Sequence, residues 1–233
     1  MTERAATGRS RTVVQVFARA PIPGQCKTRL HPALSHQACA NLHAALVRWA
    51  VSEALASDAD AVELWRASDD EHALFRELAA LPFVSLMTQA GDDLGERMSF
   101  ALLSARRRGL VPWLIGSDCP AQTRTRINTA LATAAENPEA LVLRVATDGG
   151  YVGVGTAMGV GQLAEMAAFV GIPWGTGVVL SATRTALASA GCSWIELAAL
   201  PDIDVPADLT CLPTALQPLA SPAHGMPLSL IHI

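Results

Sequence analysis

From Thr12 to Glu136 the chain alternates two hydrophobic patterns. Short, almost wholly apolar runs are each followed by a polar or glycine-containing stretch and then by a longer segment with apolar residues three and four apart. TVVQVFA (Thr12 to Ala18) precedes Ser35 to Ala56, and AVELWR (Ala61 to Arg66) precedes a segment near Asp70 to Ala80. FVSLM (Phe83 to Met87) precedes Leu94 to Arg108, and VPWLIG (Val111 to Gly116) precedes Gln122 to Glu136. Runs of the first kind read as strands buried on both faces, and segments of the second kind read as amphipathic helices. Ser35 is the expected N-cap of the first helix. Strands alternating with helices form parallel βαβ units, so the pattern predicts an open, doubly wound α/β sheet between helical layers.

After Ala140 the alternation changes. LVLRVA and YVGVGT are joined by TDGG, and Asp-Gly is a strong hairpin signal, so the sheet is expected to be mixed, with one antiparallel excursion. A helix from about Thr176 to Ala190 and a strand from Cys192 to Leu197 follow. From Cys211 onward prolines stand at 213, 218, 222 and 227 with no periodicity. Residues 1–210 are therefore read as one α/β domain and 211–233 as an irregular tail.

Composition narrows the functional classes. Hydrophobic residues make up 51% of the chain and charged ones 16%, which excludes a disordered chain. A net charge of −4 argues against a nucleic-acid partner, because duplex binding draws on a basic face. The five cysteines show no CxxC or Cys/His metal spacing, as expected for reduced thiols. No apolar run reaches membrane-spanning length, and MTERAATGRSRT has no apolar middle, so a cytoplasmic protein without a membrane partner is expected.

Open α/β sheets bind ligands at the carboxyl ends of their strands, and five post-strand segments carry unusual chemistry. In FARAPIPGQCKTRLHP (Phe17 to Pro32), Pro23 and Gly24 shape a loop whose backbone could approach a phosphate, with Lys27 and Arg29 as cations; a rigid turn with solvated cations is the alternative. In QAGDDLGERMSFA, Gln89, Gly95 and Arg97 could meet a base, ribose or phosphate, whereas Asp93 and Glu96 fit a capping box. In LIGSDCPAQT, Asp118 ends a buried strand, a position suited to a divalent cation. Asp148 lies in the DGG turn. In LPDIDVPADL, Asp202 or Asp204 could complete a metal site, and Asp204 could equally cap a helix begun by Pro206.

Taken in order, PIPGQCKTRL, GDDLGERM, GSDCP, DGGYVGVG, PWGT and LPDIDVPADL resemble the signature blocks of the radical-SAM/selenodomain-associated transferase family. That family is a branch of the GT-A nucleotide-diphospho-sugar transferase superfamily. The resemblance runs from Val13 to about Leu209, and the chain is similar, more distantly, to sugar-acid cytidylyltransferases and to molybdopterin and phospholactate guanylyltransferases. It implies a Rossmann-like GT-A three-layer fold and a transferase that uses a nucleotide sugar or a nucleoside triphosphate as donor to a small-molecule acceptor. The alternative is a catalytically inactive nucleotide-binding or scaffold protein. By this resemblance Gly24, Lys27 and Arg29 hold nucleotide phosphates, and Leu94 to Arg97 lie near the base and ribose. Asp118 and Asp204 ligate Mg²⁺ or Mn²⁺, and Asp148 faces the acceptor, so Lys27, Arg29, Asp118 and Asp148 form the catalytic set. The chain departs from the family at Gly177, where a polar or acidic residue is usual after PW-small-Thr, and at Gly153, where a bulkier apolar residue is common.

Overall fold

The computed structural model describes residues 10–67, 71–156, 159, 161 and 167–220. Seven strands form one sheet: β1 Arg11–Ala18, β2 Ala61–Arg66, β3 Val84–Thr88, β4 Leu110–Gly116, β5 Leu141–Ala146, β6 Tyr151–Thr156 and β7 Trp194–Leu200. Their order is β3-β2-β1-β4-β6-β5-β7. Only β6 runs antiparallel, to both β4 and β5; the remaining neighbours are parallel. This is the mixed, mostly parallel Rossmann-like sheet expected from the alternation. Six of the strand assignments are met to within a residue; β7 begins two residues later than expected and ends three later.

The apolar runs are explained by burial on both sides. Val14, Val16, Leu64, Trp113, Ile115 and Val142 pack with α1 (His36–Leu55), α2 (Ala73–Ala79) and α4 (Arg124–Glu136). Their strand neighbours Phe17, Trp65, Leu114, Leu141, Leu143 and Val154 pack on the opposite face with α3 (Leu94–Arg107) and α5 (Val179–Ser189). Alternate residues of one strand thus enter different layers, which is why the strands lack a polar face. Each fully buried Leu or Phe contributes roughly 1.5–3 kcal/mol relative to exposure.

Local signals end and cap the helices. Ser35 Oγ accepts from the Ala38 N–H at the start of α1. Thr123 precedes α4 without a side-chain cap; instead Glu53 Oε2, from α1, accepts from Arg124 N–H at 2.5 Å. The helix expected from Thr176 starts only at Val179, because Thr176 turns its hydroxyl back to Pro173 O. The start of the second expected helix, near Asp70, lies outside the described residues.

One crossing places the functional segments together. Phe17 of β1 pairs with Gly116 of β4, so the loops after these two strands leave the sheet side by side. Beyond β7 the chain turns back over the carboxyl ends of β5 and β4. Thr147 N–H donates to Leu200 O and Ile203 N–H to Asp118 O, and the Cys119 thiol donates to Pro201 O. Cys211 closes a short 3-10 turn begun at Pro206. Leu212 and Leu216 then bury against Leu30, Leu34, Leu42 and Leu46. The first part of the expected tail is therefore seated on α1, and residues 221–233 lie outside the described residues. No described helix is long and apolar enough to cross a membrane.

Candidate functional site

The site begins in the loop after β1. Gly24 has φ +81°, and its open side faces the His36 ring, whose Nδ1 would lie 3.4 Å from a β-carbon there. Cys26 and Leu30 are buried and anchor the loop. Between them Lys27 adopts a left-handed conformation, φ 49°, which costs a non-glycine residue on the order of 1 kcal/mol. The turn carries its side chain inward. Only 6% of that side chain is exposed; Nζ donates to Ile203 O at 2.5 Å and lies 3.5 Å from Asp118 Oδ2. Arg29 remains 65% exposed and donates to Asp204 Oδ2 at 2.5 Å. Two cations from the first loop thus meet the two acids that follow β4 and β7.

The acids differ in their surroundings. Asp118 is 45% exposed. Burial pushes its carboxyl up, but the Lys27 charge and its own backbone N–H outweigh this and hold it below the ordinary carboxylate range. Asp208 Oδ2 accepts from the backbone N–H groups of Asp204 and Val205. Asp208 therefore caps the turn, and the Asp204 carboxylate is available to Arg29. Asp202 is pushed up to about 6 by burial, then by the charges of Asp118 and Asp148, so Asp118, Asp148 and Asp202 share one electrostatic neighbourhood. Asp148 Oδ1 also accepts from Gly150 N–H and shapes the β5–β6 turn.

Gln89, Gly95 and Arg97 are engaged with other parts of the scaffold. Gln89 Nε2 donates to Trp65 O at 2.9 Å and Arg97 Nε to Gly91 O at 2.9 Å. Asp93 Oδ1 caps α3 through the Glu96 N–H, and Glu96 Oε2 returns to the Asp92 N–H. A β-carbon at Gly95 would stand 2.7 Å from Trp174 Nε1, so that glycine permits close packing of α3 against the 169–174 segment. None of these bonds runs to the Lys27–Asp118 pair; the structure pairs Lys27 with Asp118 and Arg29 with Asp204, places Asp148 in the electrostatic neighbourhood of Asp202, and leaves the GDDLGERM residues outside these contacts.

Among the described residues no three His, Cys, Asp or Glu side chains form a ready metal cluster. The donor set nevertheless fits a hard divalent cation such as Mg²⁺ or Mn²⁺. Such an ion takes one or two carboxylates and fills its other positions with water and phosphate oxygens. The Asp118 carboxylate and the Ile203 carbonyl already converge on a cation, the Lys27 ammonium.

The family model described as uncharacterized protein conserved in bacteria, DUF2064, matches residues 50–176. The chain belongs to this family. No curated protein matches it. Among solved structures, it resembles a Desulfovibrio desulfuricans G20 protein described as a candidate nucleotide-diphospho-sugar transferase, with a TM-score of 0.75 and 26% identity over 85% of this chain and 84% of that one. The inositol-1-phosphate CTP transferase from T. maritima has a TM-score of 0.55 and 12% identity over 91% and 96% of the two chains. CMP:2-keto-3-deoxy-manno-octonic acid synthetase, complexed with CTP, gives 0.54 and 13% over 87% and 96%. This DUF2064 chain therefore has the fold shared by nucleotide-diphospho-sugar transferases and cytidylyltransferases.

Sequence reasoning missed two contributors. His43, in the middle of α1, is 6% exposed. Its Nε2 donates to Arg19 O at 3.1 Å, the carbonyl being able only to accept. Its sole sequence signal is a polar residue on a core-facing stripe. The Ile203 carbonyl carried no signal, because every residue has one. Of the two departures from the family pattern, Gly153 has a steric reason and Gly177 has none. At Gly153 a β-carbon would stand 2.6 Å from Trp113 Cζ2 and 2.7 Å from Gln122 Nε2, so Trp113 fills the space a larger residue would need. At Gly177 a β-carbon would meet only Asp148 O, at 3.4 Å, which places this position directly against the Asp148 turn.

Proposed function

We propose that this protein is a divalent-metal-dependent transferase that takes a nucleoside triphosphate or a nucleotide sugar as donor and a small molecule as acceptor. The observation that carries the reading is the meeting of Lys27 and Arg29 with Asp118 and Asp204 at the carboxyl end of one sheet. Gly24, Lys27 and Arg29 would cradle the donor phosphates, Arg29 gripping two oxygens through its guanidinium fork. A cation held by Asp118 and Asp204 would neutralise charge on those phosphates. Asp148, beside Gly177, would face the acceptor.

Nucleotidyl transfer is the favoured form. An acceptor oxygen would form a bond to the α-phosphorus while the bond to the bridging oxygen breaks, releasing pyrophosphate. Lys27 and Arg29 would stabilise the charge that gathers on the phosphate oxygens; losing one such donor typically costs about 3–4 kcal/mol of barrier. Asp118 stands alone in GSDCP, without the Asp-x-Asp pair of metal-dependent glycosyltransferases, and two structural relatives are named for CTP or CMP chemistry. Thermal-shift titration with the four NTPs and common nucleotide sugars, with and without Mg²⁺, is the test. Stabilisation of about 2.7 kcal/mol is expected at a hundred times Kd, and pyrophosphate rather than nucleoside diphosphate should appear when acceptor-containing extract is added. No stabilisation by any nucleotide would overturn the reading, and binding without product would favour the inactive binding protein.

A further inference from the structure

We propose that the Lys27 ammonium stands in the divalent-cation position of the ligand-free protein and moves to phosphate only when metal and nucleotide arrive together. This rests on the metal-dependent reading given above. Nζ is held by Ile203 O at 2.5 Å and faces Asp118 Oδ2 at 3.5 Å. A neutral carbonyl and a carboxylate are the hard oxygens that a magnesium-type ion takes. Those oxygens do not depend on the lysine for their placement, since Ile203 N–H donates to Asp118 O and ties the two segments backbone to backbone. Exposure is unequal: the Asp118 side chain is 45% open and the Lys27 side chain 6%. A phosphate entering the cleft would meet an ammonium already turned inward, whereas a metal ion would meet an accessible carboxylate.

Arg29 repeats the arrangement on Asp204. Each acid required by the metal is thus neutralised by a cation required by the phosphates. Metal alone must expel an ammonium that has no new partner. Nucleotide alone must draw that ammonium away and leave a carboxylate uncompensated, which is costly where it is partly buried. Arriving as a chelate, the two exchange partners with both cations, and no charge is left unpaired. The ligand class selected is therefore a divalent cation already bound to a polyphosphate, and the two components bind with positive coupling.

Mn²⁺ alone, followed by electron paramagnetic resonance of the free ion, separates this from simple phosphate binding. Lys27→Met should bind Mn²⁺ about tenfold more tightly than the wild type, within the usual range of coupling energies, while binding inorganic tripolyphosphate with Mn²⁺ more weakly. Mn²⁺ affinity that is unchanged or weaker in Lys27→Met overturns the proposal. Should circular dichroism show that Lys27→Met does not fold, Arg29→Met decides, because its side chain is 65% exposed: a smaller rise in Mn²⁺ affinity supports the exchange and none overturns it. Asp118→Asn identifies which reading has failed. Binding of Mn²⁺ that is lost with Asp118→Asn yet indifferent to Lys27→Met removes only the exchange. Absence of Mn²⁺ binding in every variant, or binding indifferent to Asp118→Asn, removes the metal site with it.

Discussion

A β-carbon at position 116 would stand 2.6 Å from Asp118 Oδ1; Gly116 leaves open the space that this carboxylate fills. Gly116→Ala is expected to displace the carboxylate and weaken metal-dependent nucleotide binding about tenfold, equivalent to 1.4 kcal/mol, while the far-ultraviolet circular dichroism stays unchanged. Isothermal titration of the variant with a stabilising nucleotide and Mg²⁺ checks this, and unaltered affinity would remove Asp118 from the binding site.

His43 makes stability depend on pH. Burial, and then the Lys27 charge, lower its pKa from 6.5 to about 4. Between those values the unfolded chain binds a proton that the folded chain does not, so stability falls as pH falls through this window, by about 3 kcal/mol in total. Asp202 opposes this, because its raised pKa, about 6, makes the folded state less favourable as it ionises between roughly pH 4 and 6. His43→Gln should therefore show a flatter, or even inverted, dependence of the urea midpoint on pH between 7 and 4.5, whereas an unchanged slope would mean that His43 is charged in the fold.

The β5–β6 turn is closed against the start of α5. Gly149 has φ +94°, a β-carbon there would collide with Gly177 O, and its carbonyl accepts from Leu180 N–H at 2.9 Å. Gly149→Ala should cost on the order of 1–3 kcal/mol through the left-handed backbone and the collision. Gly177→Ala, whose β-carbon has only an ordinary 3.4 Å contact, should cost less than about 0.5 kcal/mol, as substitutions clear of packing usually do. Urea unfolding of the pair would show whether the turn is as constrained as its geometry implies.

Arg29 separates binding from folding. Its pair with Asp204 is exposed, 65% and 37% for the two side chains, so Arg29→Ala should change stability by less than about 1 kcal/mol. Nucleotide affinity should nevertheless drop about tenfold with the loss of a charge-assisted phosphate contact. Equal affinity in both proteins would confine Arg29 to the surface pair.

Most of the scaffold was legible along the chain because its signals are local. Apolar runs too uniform for a half-solvated sheet meant burial on both faces, helical spacing marked the intervening layers, and Ser35 and Asp93 capped the helices they precede. Asp-Gly-Gly turned β5 into β6 through the positive φ available to Gly149. The roles of the polar residues needed the tertiary structure, because a carboxylate does different work according to the charge placed beside it. Asp204 could have capped its own turn, but Asp208 performs that task and leaves Asp204 to Arg29, 175 residues away. Arg97, a candidate phosphate contact, bonds to Gly91 in its own loop. Lys27 reaches Ile203, 176 residues along the chain, only because the segment after β7 recrosses the sheet to β4. Strand order and that crossing arise from the packing of whole layers, which leaves no local pattern to read, and they decide which cation lies beside which acid.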